Sequence, residues 1–212
     1  MAYGPSQFVS DLKALDINVS RGTLDRLETY AALLTKWQAK INLVGLATLP
    51  DLWRRHFLDS AQLIPLLPAA GGTLADLGSG AGFPGLVLAV MTGWRVHLID
   101  SDQRKCAFLR QVALDCGVRT QVTIHAQRIE QVAGIAADVV TARACAPLDE
   151  LLGLAAPILG EKGTALLLKG AQAEEELTQA QRHWTMRVET RGSISDPGGN
   201  ILVIGHLQRK SQ

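Results

Sequence analysis

The stretch Leu74-Ala75-Asp76-Leu77-Gly78-Ser79-Gly80-Ala81-Gly82-Phe83-Pro84-Gly85-Leu86-Val87-Leu88 constrains this chain more than any other. A short apolar strand runs into a turn with glycine at alternate positions and then into an apolar helix opened by proline. Alternating glycines let the backbone turn without Cβ clashes and approach a ligand closely, and a helix start leaves N–H groups unpaired and directed at that ligand. A plain strand-to-helix turn has no need of four glycines. Asp76, just before them, adds a group able to hold a polar ligand, so the stretch reads as a ligand loop.

Register decides which ligand. Gly80-Ala81-Gly82-Phe83-Pro84-Gly85 spells the dinucleotide fingerprint G-x-G-x-x-G, but in a dinucleotide fold the first glycine sits at the strand end. Counted from Gly78, the third glycine position falls on Phe83, and the fingerprint fails. The spacing of Asp76, Gly78, Gly80 and Gly82 instead resembles the first motif of Rossmann-like methyltransferases that use S-adenosylmethionine. Further on, Trp94-Arg95-Val96-His97-Leu98-Ile99-Asp100 reads as a second strand ending in an acid, the position from which a carboxylate accepts from both ribose hydroxyls. Asp100 therefore supports a nucleoside cofactor without choosing between the two kinds.

The 212 residues, 47% hydrophobic and 19% charged, suffice for one full core. No apolar run is long enough to span a bilayer, and the start Met1-Ala2-Tyr3-Gly4-Pro5-Ser6 lacks the pattern of a signal peptide, which points to the cytoplasm. Cys106, Cys116 and Cys145 have no metal-ligand spacing, and their odd number argues against a disulfide framework. Cys106 and Cys116 read as small buried hydrophobes. A net charge of +1 leaves a nucleic-acid partner open, because a local basic patch suffices.

Residues 1–70 form a helical N-terminal region and residues 71–212 an α/β unit. In the first, Leu24, Leu27, Ala31, Leu34 and Trp37 mark one helical face and Leu52, Trp53, Phe57, Ala61 and Ile64 another. Ser20 is placed to cap the first of these helices, and Thr48 with Asp51 spells a capping box for the second. Between them lies a connector, Lys40-Ile41-Asn42-Leu43-Val44-Gly45, and Arg54-Arg55-His56 puts three potential cations on one helical turn. After Gly72 strands and helices alternate, the sign of a parallel sheet covered on both faces. Strands are expected at 73–77, 95–99, 121–125, 138–141 and 164–168, with helices at 102–116, 147–159 and 171–184 between and after them. Segments 186–194 and 200–207, joined across Pro197-Gly198-Gly199, predict an antiparallel hairpin. The fold class is thus α/β: five parallel strands plus a C-terminal hairpin, as in class I S-adenosylmethionine-dependent methyltransferases, with a helical N-terminal extension.

Ligands of an open parallel sheet lie beyond the carboxyl ends of its strands. Those ends supply Asp76 to Gly82, Asp100, Gln127 to Glu130, Arg143 and Lys169. The loop Ala126-Gln127-Arg128-Ile129-Glu130 is suited to reading an adenine edge while Ile129 covers its face; a plain surface loop is the alternative. After the fourth strand the chain has Ala142-Arg143-Ala144-Cys145 where enzymes that methylate exocyclic amines carry an Asn/Asp-Pro-Pro-aromatic tetrad, so that class is disfavoured. Cys145 lacks the preceding proline of the nucleophilic cysteine used for pyrimidine carbon methylation and reads as a packed small residue. What remains is a nucleophile that needs no deprotonation, such as a purine ring nitrogen.

These residues together resemble one family, the small-subunit ribosomal RNA guanine-N7 methyltransferases called RsmG or GidB. The resemblance rests on Ile41-Asn42-Leu43, Arg55-His56-Phe57-Leu58-Asp59-Ser60, Asp76 to Gly85 with its Phe83-Pro84-Gly85 ending, Asp100-Ser101, Lys105 with Phe108-Leu109, Arg143-Ala144 and Leu168-Lys169-Gly170. It implies methyl transfer from S-adenosylmethionine to N7 of one guanine in the decoding-region loop of 16S ribosomal RNA, in the bacterial cytoplasm, by a monomer. The partner is the RNA, the small subunit, or an assembly intermediate of it. Position by position it implies cofactor contacts from Gly78, Gly80, Phe83, Asp100, Ile129, Glu130 and Arg143, with Arg143 as a positioning group and no metal. Arg55, His56, Lys105 and Lys169 become the expected RNA-binding residues, beside Arg54 and Arg104. An NAD-binding oxidoreductase and a catalytically silent RNA-binding module are the alternative readings.

Overall fold

A computed structural model describes residues 3–211; Met1 and Ala2, within the start that reads as lacking a leader, and Gln212 lie outside the described residues. Helix α1 (Pro5–Lys13) and helix α2 (Arg21–Gln38) begin the chain. Ser20 caps α2 as expected, its hydroxyl accepting from the Thr23 N–H. Leu27, Tyr30 and Leu34, one helical turn apart, bury the inward face of α2.

The next helix departs from expectation. Leu46–Asp51 is a 3₁₀ segment with Pro50 inside it, and Trp53–Leu58 is a widened π-type turn that continues into helix α3 (Asp59–Ala61). No capping box forms. The Thr48 hydroxyl turns back onto the Gly45 carbonyl at 2.7 Å instead, because the segment starts at Leu46 with Gly45 as its cap and so places Thr48 inside the turn rather than at its N-cap.

The sheet is built from β1 (Thr73–Leu77), β2 (Arg95–Ile99), β3 (Val122–His125), β4 (Ala137–Arg143), β5 (Leu159–Lys169), β6 (Trp184–Gly192) and β7 (Asn200–Arg209). Their order is β3-β2-β1-β4-β5-β7-β6, with β1 to β5 parallel, β7 antiparallel to β5, and β6 antiparallel to β7. Helices α4 (Gly85–Met91), α5 (Gln103–Asp115), α6 (Leu148–Ala155) and α7 (Ala173–Ala180) fill the crossovers. The second and third of the expected crossover helices are thus shorter, and β5 begins earlier, at Leu159, where its pairing with Ala137 starts the ladder before a register shift.

Strand alternation assigns the two faces. Leu74, Val96, Leu98, Leu166 and Leu168 point into a core shared with α4, α5 and the N-terminal helices, through Phe8, Leu27, Tyr30, Phe57 and Phe108. Ala75, Leu77, Ile99, Val140 and Leu167 point the other way, onto Leu148, Leu152 and Ala155 of α6 and Ala173 and Ala180 of α7. The helical N-terminal region therefore has no core of its own; it completes one face of the sheet and so comes to border the carboxyl ends of the strands. Among the described residues, no helix is long and apolar enough to cross a membrane.

Candidate active site

The glycine loop follows β1 with Gly78, Gly80 and Gly82 all at positive φ. Gly78 is the critical one: φ is +64°, and a Cβ placed there would lie 2.6 Å from the Cys145 sulfur, so neither the backbone nor the space admits a side chain. Gly82 is closed in similarly, its absent Cβ facing the Tyr30 hydroxyl at 2.6 Å. That hydroxyl donates to the Ala81 carbonyl, while the Tyr30 ring stacks on Phe83 with centroids 5.2 Å apart. Helix α2 thus fastens the loop from behind. Opposite, Asp100 accepts the Gly80 N–H at 2.8 Å and the Asp102 N–H at 2.8 Å, which sets its carboxylate at the end of β2 with further lone pairs to offer.

Asp76 does not serve as a ligand group. It is fully buried, accepting the Thr141 hydroxyl at 2.8 Å and the Gly85 N–H at 3.2 Å, and burial raises its carboxyl to about 6 against these hydrogen bonds. The N-terminus of α4 is accordingly turned onto Asp76 rather than outward, and the expected free N–H at Gly85 is occupied. The acid at the end of β1 is the internal brace between the loop, α4 and β4.

Two cavities meet at Gly78. One, of about 260 Å³, is lined by Gly78, Asp100, Ser101, Ile129, Glu130 and Cys145. The other, of about 590 Å³, is lined by Gly78, Gly80, Phe83, Arg55, His56, Lys105, Arg143 and Lys169 among others. The structure thus brings the expected cofactor residues and Arg55, His56, Lys105 and Lys169 to one or other of two adjoining spaces, while Arg54 and Arg104 line neither. Ile129 and Glu130 join Asp100 in the smaller, and the basic residues surround the larger.

Arg143, at the end of β4, is the most heavily engaged side chain of the larger cavity. Its Nη1 donates to the Arg55 carbonyl at 2.9 Å and to Asp59 Oδ2 at 3.2 Å, its Nη2 to His56 Nδ1 at 2.7 Å, and its guanidinium lies 5.2 Å from the centre of the Phe83 ring. Guanidinium only donates, so His56 Nδ1 must be the acceptor and the ring is the neutral Nε2–H tautomer. Nε2–H then donates to the Thr48 hydroxyl at 2.8 Å, whose own proton goes to Gly45. The direction of the whole chain follows from one arginine. Burial first, and then the charges of Arg143 and Arg55, lower His56 to about 3.

This corrects one expectation in kind. His56 borders the cavity, but it is 6% exposed and uncharged, and so it is no cation for a phosphate. Three of the other expected cations, Arg55, Lys169 and Arg104, have carboxylate partners. Arg55 pairs with Asp196 at 2.8 Å, both side chains more than a third exposed. Lys169 pairs with Glu176 at 2.6 Å and donates to the Ala146 carbonyl, its side chain 9% exposed. Arg54 donates to the Ser195 carbonyl, and Arg104 turns onto Asp102, the cap of α5. Lys105 lines the larger cavity, and Cys145 packs against the back of Gly78, its thiol raised by burial.

Sequence reasoning passed over Asp59, Thr48, Ser195 and Tyr30 as site residues. Asp59 was visible in the run Arg55-His56-Phe57-Leu58-Asp59-Ser60, where the spacing from Arg55 to Asp59 is that of one helical turn. Ser195, which donates to Asp59 Oδ1 from the loop between β6 and β7, carried no signal at all.

A family model described as rRNA small subunit methyltransferase G matches residues 23–200. Ribosomal RNA small subunit methyltransferase G of Paramagnetospirillum magneticum is 58% identical over 191 residues, covering 90% of this chain and 92% of that protein. The protein of the same name from Rhodospirillum rubrum is 53% identical over 196 residues, with 92% and 96% covered. Among solved structures, M. jannaschii TYW2 in complex with AdoMet superposes with a TM-score of 0.57 at 15% identity, over 81% of this chain and 80% of that one, a likeness of fold.

Proposed function

The chain belongs to the ribosomal RNA small subunit methyltransferase G family, and we propose that it methylates N7 of one guanine of 16S ribosomal RNA, with the cofactor lying across Gly78 between the two cavities. It is a methyltransferase dependent on S-adenosylmethionine, acting on small-subunit ribosomal RNA. S-adenosylmethionine supplies a methyl group activated by the positive charge of its sulfonium. The residues present fit it. Asp100 offers carboxylate lone pairs for ribose hydroxyls, Ile129 and Glu130 flank the adenine side, and Gly78, bare of a side chain and shared by both cavities, lets the molecule pass closely from one to the other.

The single observation that carries the guanine-N7 reading is that the histidine and the carboxylates bordering the larger cavity are each engaged by a neighbouring donor or cation. His56 Nδ1 is filled by Arg143, Asp59 by Arg143 and Ser195, Glu176 by Lys169 and Asp196 by Arg55. Each is already held by a donor or a cation, so none stands as an unengaged general base, which suits a purine ring nitrogen whose lone pair is already exposed. The work left to the protein is alignment and exclusion of water. Arg143 positions; Phe83 and Leu168 supply apolar wall. Arg55, Lys105 and Lys169 meet RNA phosphates at the rim, where Arg55 exchanges Asp196 for a phosphate on contact. The substrate is 16S ribosomal RNA, free or within the small subunit or an assembly intermediate of it, the enzyme is a monomer, and both work in the cytoplasm.

The test is to incubate unmethylated small subunits, and separately naked 16S RNA, with the protein and S-adenosylmethionine, and map N7-methylguanine by borohydride and aniline cleavage. One new cleavage in the decoding-region loop is expected. Methyl transfer to a base carbon, or a covalent adduct between protein and RNA, would refute it.

A further inference from the structure

The guanidinium of Arg143 has five N–H donors, and the structure accounts for three of them. Both on Nη1 are taken, by the Arg55 carbonyl and Asp59 Oδ2, and one on Nη2 is taken by His56 Nδ1. All three acceptors come from consecutive turns of a single element, the widened turn Trp53–Leu58 and the residue after it. The widening matters, because a π-type turn displaces its carbonyls from regular pairing and here the Arg55 carbonyl faces a side chain from another element. Each acceptor is itself held: His56 by Thr48 and through it Gly45, Asp59 by Ser195 and by Gln62 at 3.0 Å. The arginine plane is thus gripped from the connector, the N-terminal turn and the hairpin loop.

We propose that His56 and Asp59 are positioning residues that hold Arg143 with two donors free, one on Nε and one on Nη2, as a two-pronged site for an anion with two oxygens. The fit is geometric: adjacent guanidinium donors match a carboxylate or a phosphate bidentately, and only when the plane is prevented from turning. Within the methyltransferase reading, on which this inference rests, two such groups are at hand, the carboxylate of the cofactor's methionine end and a phosphate of the RNA. The neutral tautomer of His56 is a requirement of this arrangement, because a proton on Nδ1 would face an N–H of Arg143. An aspartate in its place would set a second carboxylate beside Asp59 on the one guanidinium, and a lysine or arginine would repel it. A neutral acceptor fixes the plane without adding a further anion to compete with the ligand.

Calorimetry on His56→Leu and His56→Asn decides the matter, with S-adenosylhomocysteine and 5′-methylthioadenosine as probes, since the second keeps the nucleoside and thioether and has no carboxylate. If the carboxylate is the partner, His56→Leu binds S-adenosylhomocysteine about tenfold more weakly, the scale of one charged hydrogen bond, and 5′-methylthioadenosine as the wild type does. If a phosphate is the partner, both probes bind normally and KM for the RNA rises instead while kcat holds. In either case His56→Asn, whose Oδ1 stands near the place of Nδ1, recovers most of the loss, and Asp59→Asn shows a loss of the same kind. Equal losses in His56→Leu and His56→Asn, tracking a lowered Tm, would reduce the pair to structural support and overturn the proposal. So would a His56→Leu protein with wild-type affinities and KM. A nitrogen-15 spectrum of the wild-type protein adds a check independent of folding: the His56 ring carries its proton on Nε2, and a proton on Nδ1 overturns the proposal. A wild-type protein that binds neither probe overturns the methyltransferase reading, and this one with it.

Discussion

The two walls of the site are built on opposite principles. The wall around Gly78 comes from one contiguous stretch and its neighbour strand, and it works through backbone: positive φ at three glycines, the Gly80 N–H on Asp100, the Ala81 carbonyl on Tyr30. The wall around Arg143 comes from residues 45, 48, 55, 56, 59, 143 and 195, and it works through side chains, which bond one another and the Gly45 and Arg55 carbonyls. Backbone walls are stiff and intolerant, since any added Cβ collides with something that cannot move. Side-chain walls are adjustable, and their members are mutually dependent through charge and tautomer.

The sharpest break in this contrast is Gly78→Val, which should abolish binding of S-adenosylmethionine while the sheet stays folded, because φ at +64° and the 2.6 Å approach to Cys145 are both violated. Adding Cys145→Ala removes the sulfur contact but leaves a Cβ at 3.3 Å and the backbone conflict, so the double variant stays at least tenfold weaker than wild type in calorimetry. Full recovery would show that steric contact alone matters. Cys145→Ala by itself should keep most of its activity.

Arg143→Ala tests the other wall, and most of the single-turnover methylation rate should disappear with the melting temperature little changed. Arg143→Lys should remain nearly as poor, since an ammonium cannot satisfy the Arg55 carbonyl, Asp59 and His56 and still present two donors in a plane. A lysine variant with near-normal rate would mean that the charge suffices and the geometry does not count.

A pH measurement exposes the interdependence directly. His56 ionises at 6.5 in an unfolded chain and at about 3 in the folded one, so between those values the unfolded state binds the extra proton and stability falls as the solution is acidified. Asp76 has the opposite sign: raised to about 6 from 3.8, it favours the folded state as pH drops through that interval. The two slopes nearly offset between pH 6 and 4. His56→Asn removes one of them, and urea unfolding should show the variant gaining about 1 to 2 kcal/mol on the wild type between neutrality and about pH 5. Parallel curves would mean that His56 is charged in the folded protein.

The smallest effect lies at the rim. Arg55→Ala should shallow the salt dependence of RNA association by roughly one phosphate contact and leave cofactor affinity as it was, while Asp196→Asn, which frees Arg55, should strengthen association with unrelated RNA about twofold to fivefold at low salt. Weaker binding by Asp196→Asn would assign that carboxylate to holding the loop of residues 193–199 in place.

Strands β1 and β2 were legible to the residue, as were the Ser20 cap, the closing hairpin and the glycine loop with Asp100, because each is encoded by the period, the turn residues or the spacing of a short segment. The helix after the connector was misread as regular, since a capping box is also only a spacing and the chain starts its turn earlier, at Leu46, with Thr48 inside it. What the sequence by itself determined is therefore the fold, the place and shape of the glycine loop, and the family. The roles of the charged residues were decided only in three dimensions. Asp76 looked like a ligand group and is a buried brace; His56 looked like a cation and is a neutral acceptor; Lys169 and Arg55 looked free and are paired. Local propensity depends on a residue's chain neighbours, and those are written in order. Charge state and available donors depend on burial and on partners that folding brings from far along the chain, as Arg143 reaches His56 and Asp196 reaches Arg55.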